Sequence, residues 1–347
     1  MENKNIIEVN HLSKTFNLDA GFFAKNKNNV YAVNDVSFSI PRGSTYGIAG
    51  ESGCGKTTTA RLIIQMYKQT SGTINFFDEE APANNFSTNA QNQTSEASQA
   101  HAAAKILLPS DVASYSKKQL RLYREKVKYI FQDPARSLNP RMTVYNVLTA
   151  GLKYSSLWHG KEHARELAEK IITEVGLSPE DLERRPAEFS GGQRQRISIA
   201  RGLIMNPSLL ICDEVVSALD VSIQGQIINL LQELRQSHNL SYIFITHDLK
   251  VASYFCDTIG VMYRGYLVEE APAQDLYKNS LHPYTQLLFQ GAQGILNNSN
   301  QEVKTTLQQE NCCPFAYRCP KATERCKKEL PEFRQISEGQ RVRCFEE

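Results

Sequence analysis

FSGGQRQRISIARGL, residues 189–203, leads into the apolar run and acidic pair of LLICDE, residues 209–214. Ser190 offers a hydroxyl, and Gly191 and Gly192 let backbone N–H groups approach an anion with no Cβ in the way. Gln193 completes the head of a helix whose positive dipole end points at that anion. Such an element can grip a γ-phosphate. The chain has a separate phosphate loop of its own, so the nucleotide gripped here is expected to be held by a second subunit.

That loop is GESGCGKT, residues 50–57, lying after a buried strand and opening a helix, the context in which the phosphate-loop pattern carries meaning. Gly50, Gly53 and Gly55 permit the turns that aim N–H groups at phosphate. Glu51, Ser52 and Cys54 fill the cradle between them, and Thr58 continues it. Cys54 occupies a free position and reads as a tolerated small residue. Lys56 should reach the β- and γ-phosphates, and the Thr57 hydroxyl should ligate Mg²⁺. Asp213 would complete the Mg²⁺ shell from the end of the second strand. Glu214 would polarise the attacking water as general base.

Bulk properties narrow the partners. With 39 basic and 37 acidic residues among 347, the net charge of +2 supplies no electrostatic footprint for nucleic acid. The first ten residues are polar and lack the apolar core of a secretory signal. No apolar run approaches the ~20 residues of a spanning helix. The expectation is a soluble chain that meets a membrane only through partners. Three of the eight cysteines are scattered (Cys54, Cys212, Cys256) and five crowd the last segment. Without a secretory signal, that crowding favours a metal site over disulfides.

Along the chain, residues 6–10 and 36–40 read as strands, and TYGIAG (45–50) as a buried strand entering the loop. Residues 79–105 shift to Asn, Gln, Ser and Ala, too poor in large apolar side chains to offset ordering entropy, and read as a low-complexity insertion. A helical region spans about 116–205, broken by YIFQDPARSLNPRM. Strands return at 209–212 and 241–246 with the helix 223–236 between them, which implies a parallel sheet with right-handed crossovers. IGVMYRGYLVEE reads as a hairpin turning at Arg264 and Gly265. A separate extension, 271–347, follows the main domain, 1–270.

Taken in order over about residues 6–270, these motifs resemble the ATPase subunits of ATP-binding-cassette (ABC) transporters. The resemblance implies a P-loop NTPase of RecA-like α/β fold, with an antiparallel β subdomain, an α-helical subdomain and a small Cys-rich C-terminal extension. It assigns Gln132 to the loop that senses the γ-phosphate and contributes to the Mg²⁺ shell. It makes His247 the switch histidine that orients Glu214. Asp220 belongs to the loop crossing to the partner ATPase, and Phe16 in LSKTF to the stack on adenine. Three finer stretches, FQDPARSLNPRMTV, SALDVSIQGQIINLL and HPYTQLL, look like the oligopeptide and dipeptide importers, closest to the second of their paired ATPase subunits.

The implied assembly holds a second ATPase subunit, two transmembrane permeases and an extracellular substrate-binding protein, with this chain peripheral at the cytoplasmic face of the membrane. Import of nickel or another small solute is the alternative cargo, and a soluble non-transport cassette protein the alternative class. One departure stands out: Val215 follows Glu214 where the branch often has proline.

The tail carries its own chemistry. Cys313, Cys319, Cys326 and Cys344 are separated by five, six and seventeen residues. Thiolates so grouped could hold a metal that folds a segment short of apolar residues. The intervals are wider than the paired C-x₂-C of zinc sites, which favours a four-iron four-sulfur cluster over zinc; relatives in the branch that hold such a cluster point the same way. Reduced cysteines packing as small hydrophobes are the remaining reading.

Overall fold

Two β-sheets organise this computed structural model, which describes residues 4–17, 29–77, 111–292 and 312–345. In chain order the strands are β1 (Asn5–Asn17), β2 (Asn29–Pro41), β3 (Thr45–Ala49), β4 (Ser71–Phe76), β5 (Val127–Ile130), β6 (Leu209–Asp213), β7 (Ser241–Thr246), β8 (Thr258–Tyr263), β9 (Tyr266–Pro272), β10 (Arg334–Ser337) and β11 (Gln340–Val342). The smaller sheet, β2-β1-β4, is antiparallel. In the larger, five parallel strands in the order β8-β3-β7-β6-β5 carry an antiparallel edge of β9, β11 and β10. The expected insertion, 79–105, lies outside the described residues.

The parallel strands are buried on both faces, and their side chains divide accordingly. Leu210, Cys212, Tyr242 and Phe244 enter one core with the helices Gly191–Leu203 and Val221–His238. Leu209, Ile211, Ile243 and Ile245 enter the other, with β1, β2 and the helix Lys56–Ile63. Two-sided burial explains why these strands read as continuous apolar runs instead of alternating ones. β1 behaves differently. Register shifts between Val9 and Leu12 and beyond insert bulges, so the alternation stops at Asn10 while the strand runs on to Asn17.

The β8–β9 hairpin turns where expected, with Arg264 and Gly265 at φ 45° and 86°, the left-handed pair that a tight hairpin requires. The helical segments between β4 and β6 include Lys117–Lys126, capped by a reciprocal Ser116–Gln119 box, and Lys161–Glu174. The extension beyond residue 271 is not set apart from the main domain. β11 pairs with β9, Arg341 bonds Glu270 at 2.7 Å, and Cys313, Phe315 and Cys326 share the core with Phe244 and Leu249. Among the described residues, no helix is long and apolar enough to cross a membrane.

Candidate functional site

β3, buried at all five positions, delivers Gly50 to the C-terminal edge of the parallel strands, where such sheets bind ligands. Gly50 adopts φ 151° and Gly55 φ 113°. A Cβ on Gly50 would lie 2.3 Å from the Met262 carbonyl oxygen, and one on Gly55 2.4 Å from that of Ala32. Only glycine fits either place. Gly55 is also the N-cap of the helix Lys56–Ile63 and brings no side chain to its first-turn N–H groups, which stay available to an anion. Lys56 is buried, and its ammonium donates to the carbonyls of Gly50 (2.8 Å) and Glu51 (2.9 Å). Cys54 is buried and desolvation raises its thiol pKa, in keeping with a spacer role.

The expected catalytic groups converge on this loop. Thr57 Oγ1 donates to Asp213 Oδ1 at 3.1 Å. Gln132 Nε2 donates to Glu214 Oε2 at 2.7 Å, and His247 Nδ1 lies 3.8 Å from Glu214 Oε1. A cavity of about 740 Å³ is lined by the loop and by Gln132, Glu214, Tyr31, Tyr263 and Arg318. Hydroxyl, carboxylate and amide oxygens from Thr57, Asp213 and Gln132 form a hard donor set that suits Mg²⁺, an ion that keeps water and phosphate as its other ligands.

Two features here were invisible in the sequence. Glu214 sits at φ 49°, unusual for a non-glycine residue, and its N–H is held by the Ile245 carbonyl at 3.0 Å. Val215 is buried behind it. The Tyr129 hydroxyl donates to Asp213 Oδ2. Burial pushes the Asp213 carboxyl above its ordinary value, and the Tyr129 and Thr57 hydroxyls oppose that shift. Tyr129 lies on β5, the strand beside the one that ends in Asp213.

Ser190 caps the helix Gly191–Leu203 through a reciprocal box with Gln193. Gly192 packs so closely on the following helix that a Cβ would meet Ile223 Cγ2 at 2.8 Å. Ser190 and Asp220 are exposed, and neither they nor Gly191, Gly192 and Gln193 line the cavity beside Lys56. Asp220 makes no side-chain cap bond to its own helix. Phe16 is half-buried, edge-on to Tyr67 at 5.4 Å and beneath the Lys14 ammonium at 5.0 Å. Val30 and Tyr31, across the strand pair from it, line the cavity.

The tail departs from expectation. Among the described residues, no three His, Cys, Asp or Glu side chains are grouped to hold a metal ion, so a preformed centre of Cys313, Cys319, Cys326 and Cys344 is not present. Cys313, Cys326 and Cys344 are buried. Burial, reinforced by Cys326, Cys344 and Cys319, pushes the Cys313 thiol up to about 11.

Comparison with known proteins agrees with this geometry. The family model described as "ABC transporter" matches residues 33–217, more than half of the chain. The chain belongs to the ABC transporter family of ATPases. Within this family, the model described as "Oligopeptide/dipeptide transporter, C-terminal region" matches residues 268–326 of the ATPase. The oligopeptide transport ATP-binding proteins AppF and OppF of Bacillus subtilis (strain 168) are 38% and 39% identical to it, each over 98% of this chain and 96% of their own. The di/tripeptide transport ATP-binding protein DppF of Pseudomonas aeruginosa (strain UCBPP-PA14) is 36% identical over 98% of this chain and 97% of its own. Solved structures at 23% identity share the fold. CbiO1 of Clostridium perfringens has a TM-score of 0.61 over 80% of this chain and 92% of its own. The cassette MJ0796, in a dimeric post-hydrolysis state with ADP and Pi, has 0.60 over 77% and 98%.

Proposed function

We propose that this ATPase powers the import of oligopeptides or dipeptides as one of two nucleotide-binding subunits of a membrane transporter. The observation that carries the reading is the match of residues 268–326 to the oligopeptide/dipeptide transporter C-terminal region, a segment whose Tyr284 hydroxyl accepts from the Glu51 N–H of the phosphate loop. ATP with Mg²⁺ binds at residues 50–57. Lys56 neutralises the β- and γ-phosphates, and Thr57, Asp213 and Gln132 supply the ion's protein oxygens. Glu214, oriented by Gln132 and His247, takes the proton of the attacking water. Phe16 stacks on adenine.

Ser190 to Gln193 and Asp220 face the site of a second ATPase subunit, so ATP closes a head-to-tail pair and hydrolysis reopens it. Two permeases and an extracellular binding protein complete the assembly, with this chain at the cytoplasmic face. Deleting the gene should abolish uptake of labelled di- to hexapeptides, and a Glu214→Gln copy should fail to restore it. Loss of nickel uptake with peptide uptake intact would overturn the cargo assignment.

The finer proposal for the tail is a four-iron four-sulfur cluster. In its support, the Cys313 N–H donates to the Cys326 carbonyl at 2.9 Å, and both residues share one core against which Cys319 packs. Binding would release the thiol protons and organise the segment. Protein purified without oxygen should be brown, with about four iron atoms per chain. Colourless protein without iron, whose Cys319→Ser variant folds normally, would leave the thiols as packing groups.

A further inference from the structure

The phosphate loop is held from outside by the C-terminal region. Glu51, its second residue, donates its backbone N–H to the Tyr284 hydroxyl at 2.9 Å. Its carboxylate accepts from both arms of the Arg318 guanidinium, each at 2.9 Å. Arg318 lies between Cys313 and Cys319, and Phe315 from the same turn is fully buried. The guanidinium sits 5.7 Å from the Tyr263 ring centroid and 5.8 Å from that of Phe315. Tyr263, Tyr284 and Phe315 contact one another, with centroids 4.6 to 5.4 Å apart. Both Glu51 and Arg318 line the cavity that contains Lys56.

A carboxylate in a loop built to cradle phosphate is an electrostatic liability. Left alone, Glu51 would repel the anion that Lys56 and the helix N-terminus attract. A planar fork bonded to both carboxylate oxygens cancels that charge and fixes the direction of the side chain. Packing over aromatic rings holds the fork itself. We propose that Arg318 is a positioning residue of the nucleotide site: it neutralises Glu51 and steadies the outer edge of the phosphate loop, so ATP affinity depends on the folded cysteine segment. Disordering 313–319 removes the clamp, and the phosphate loop then binds ATP weakly. The inference rests on the reading of residues 50–57 as the ATP site.

The test uses the full-length chain, equilibrium binding of a fluorescent ATP analogue and steady-state hydrolysis. Arg318→Ala should weaken binding and raise KM about tenfold at low ionic strength, less at high salt because the pair is half-exposed, with kcat changed less than twofold. Arg318→Lys should recover part of the affinity. Glu51→Gln removes the charge and keeps the loop's backbone N–H groups, so Glu51→Gln with Arg318→Ala should restore the affinity that Arg318→Ala loses. Parental affinity in Arg318→Ala, or a double variant as weak as Arg318→Ala alone, would overturn the proposal. Lys56→Ala run in parallel separates the two levels. If it binds ATP normally, the site reading fails; if it does not and Arg318→Ala does, only the clamp fails.

Discussion

Glu214→Gln is close to a shape-conserving change at this site, and it isolates the proton-accepting role of the carboxylate. The substituted amide keeps an oxygen to accept from Gln132 Nε2, now 2.7 Å from Glu214 Oε2. Its NH₂ then faces His247 Nδ1, 3.8 Å from the other oxygen, and a neutral imidazole with Nδ1 unprotonated accommodates it. The positive φ of residue 214 and its N–H bond to Ile245 involve only backbone and should persist. Asp213, Thr57 and Lys56 are untouched, so Mg²⁺ and ATP should bind as before. Only the proton acceptor is lost. Removing a general base lowers the rate about 10²- to 10⁴-fold, or about 3–5 kcal/mol in the barrier. A coupled-enzyme assay of phosphate release should report that drop while nucleotide binding stays within about twofold, and the assembled transporter should accumulate trapped ATP. Hydrolysis at the parental rate would refute Glu214 as base. A matching loss of binding would show instead that the carboxylate holds the loop together.

Other outcomes test other parts of the site. Ser190→Arg should disable the partner subunit's site more than this chain's own, read by nucleotide occlusion at each site of the pair; equal loss at both would indicate misfolding. Gly192→Ala should drive a Cβ against Ile223, 2.8 Å away in the present packing, and cost about 1–3 kcal/mol of stability in urea unfolding, with Ile223→Ala restoring most of it. His282 is buried, accepts the Tyr284 N–H at 3.1 Å on Nδ1, and has its pKa lowered by desolvation from 6.5 to about 4. The unfolded chain therefore takes up this proton first as the pH falls. Stability should decline from about pH 6.5 and level off for this group near pH 4, a loss of about 3 kcal/mol. His282→Gln should flatten that segment of the pH profile, and an unchanged profile would exclude His282 as the titrating group.

The sequence alone determined the phosphate loop, the Asp213–Glu214 strand end, the serine-glycine helix head and the parallel core. Each is written in contiguous residues: glycine where a Cβ cannot fit, an apolar run where both faces are buried, a hydroxyl at a helix start. Tertiary structure decided which of these groups meet. Gln132, Glu214 and His247 end three different strands and become neighbours only when the parallel sheet aligns the strand ends. The role of Tyr129 was not legible locally because its hydroxyl partner, Asp213, lies on the adjacent strand. The left-handed backbone of Glu214 accompanies an N–H bond to Ile245 on the neighbouring strand, and nothing local announces it. The extension read as a separate segment from residue 271, yet β11 pairs with β9 and Cys313 and Phe315 enter the shared core. Glu51 and Arg318 are 267 residues apart, and pairing at that range depends on the path of the whole chain, which no periodicity or spacing encodes.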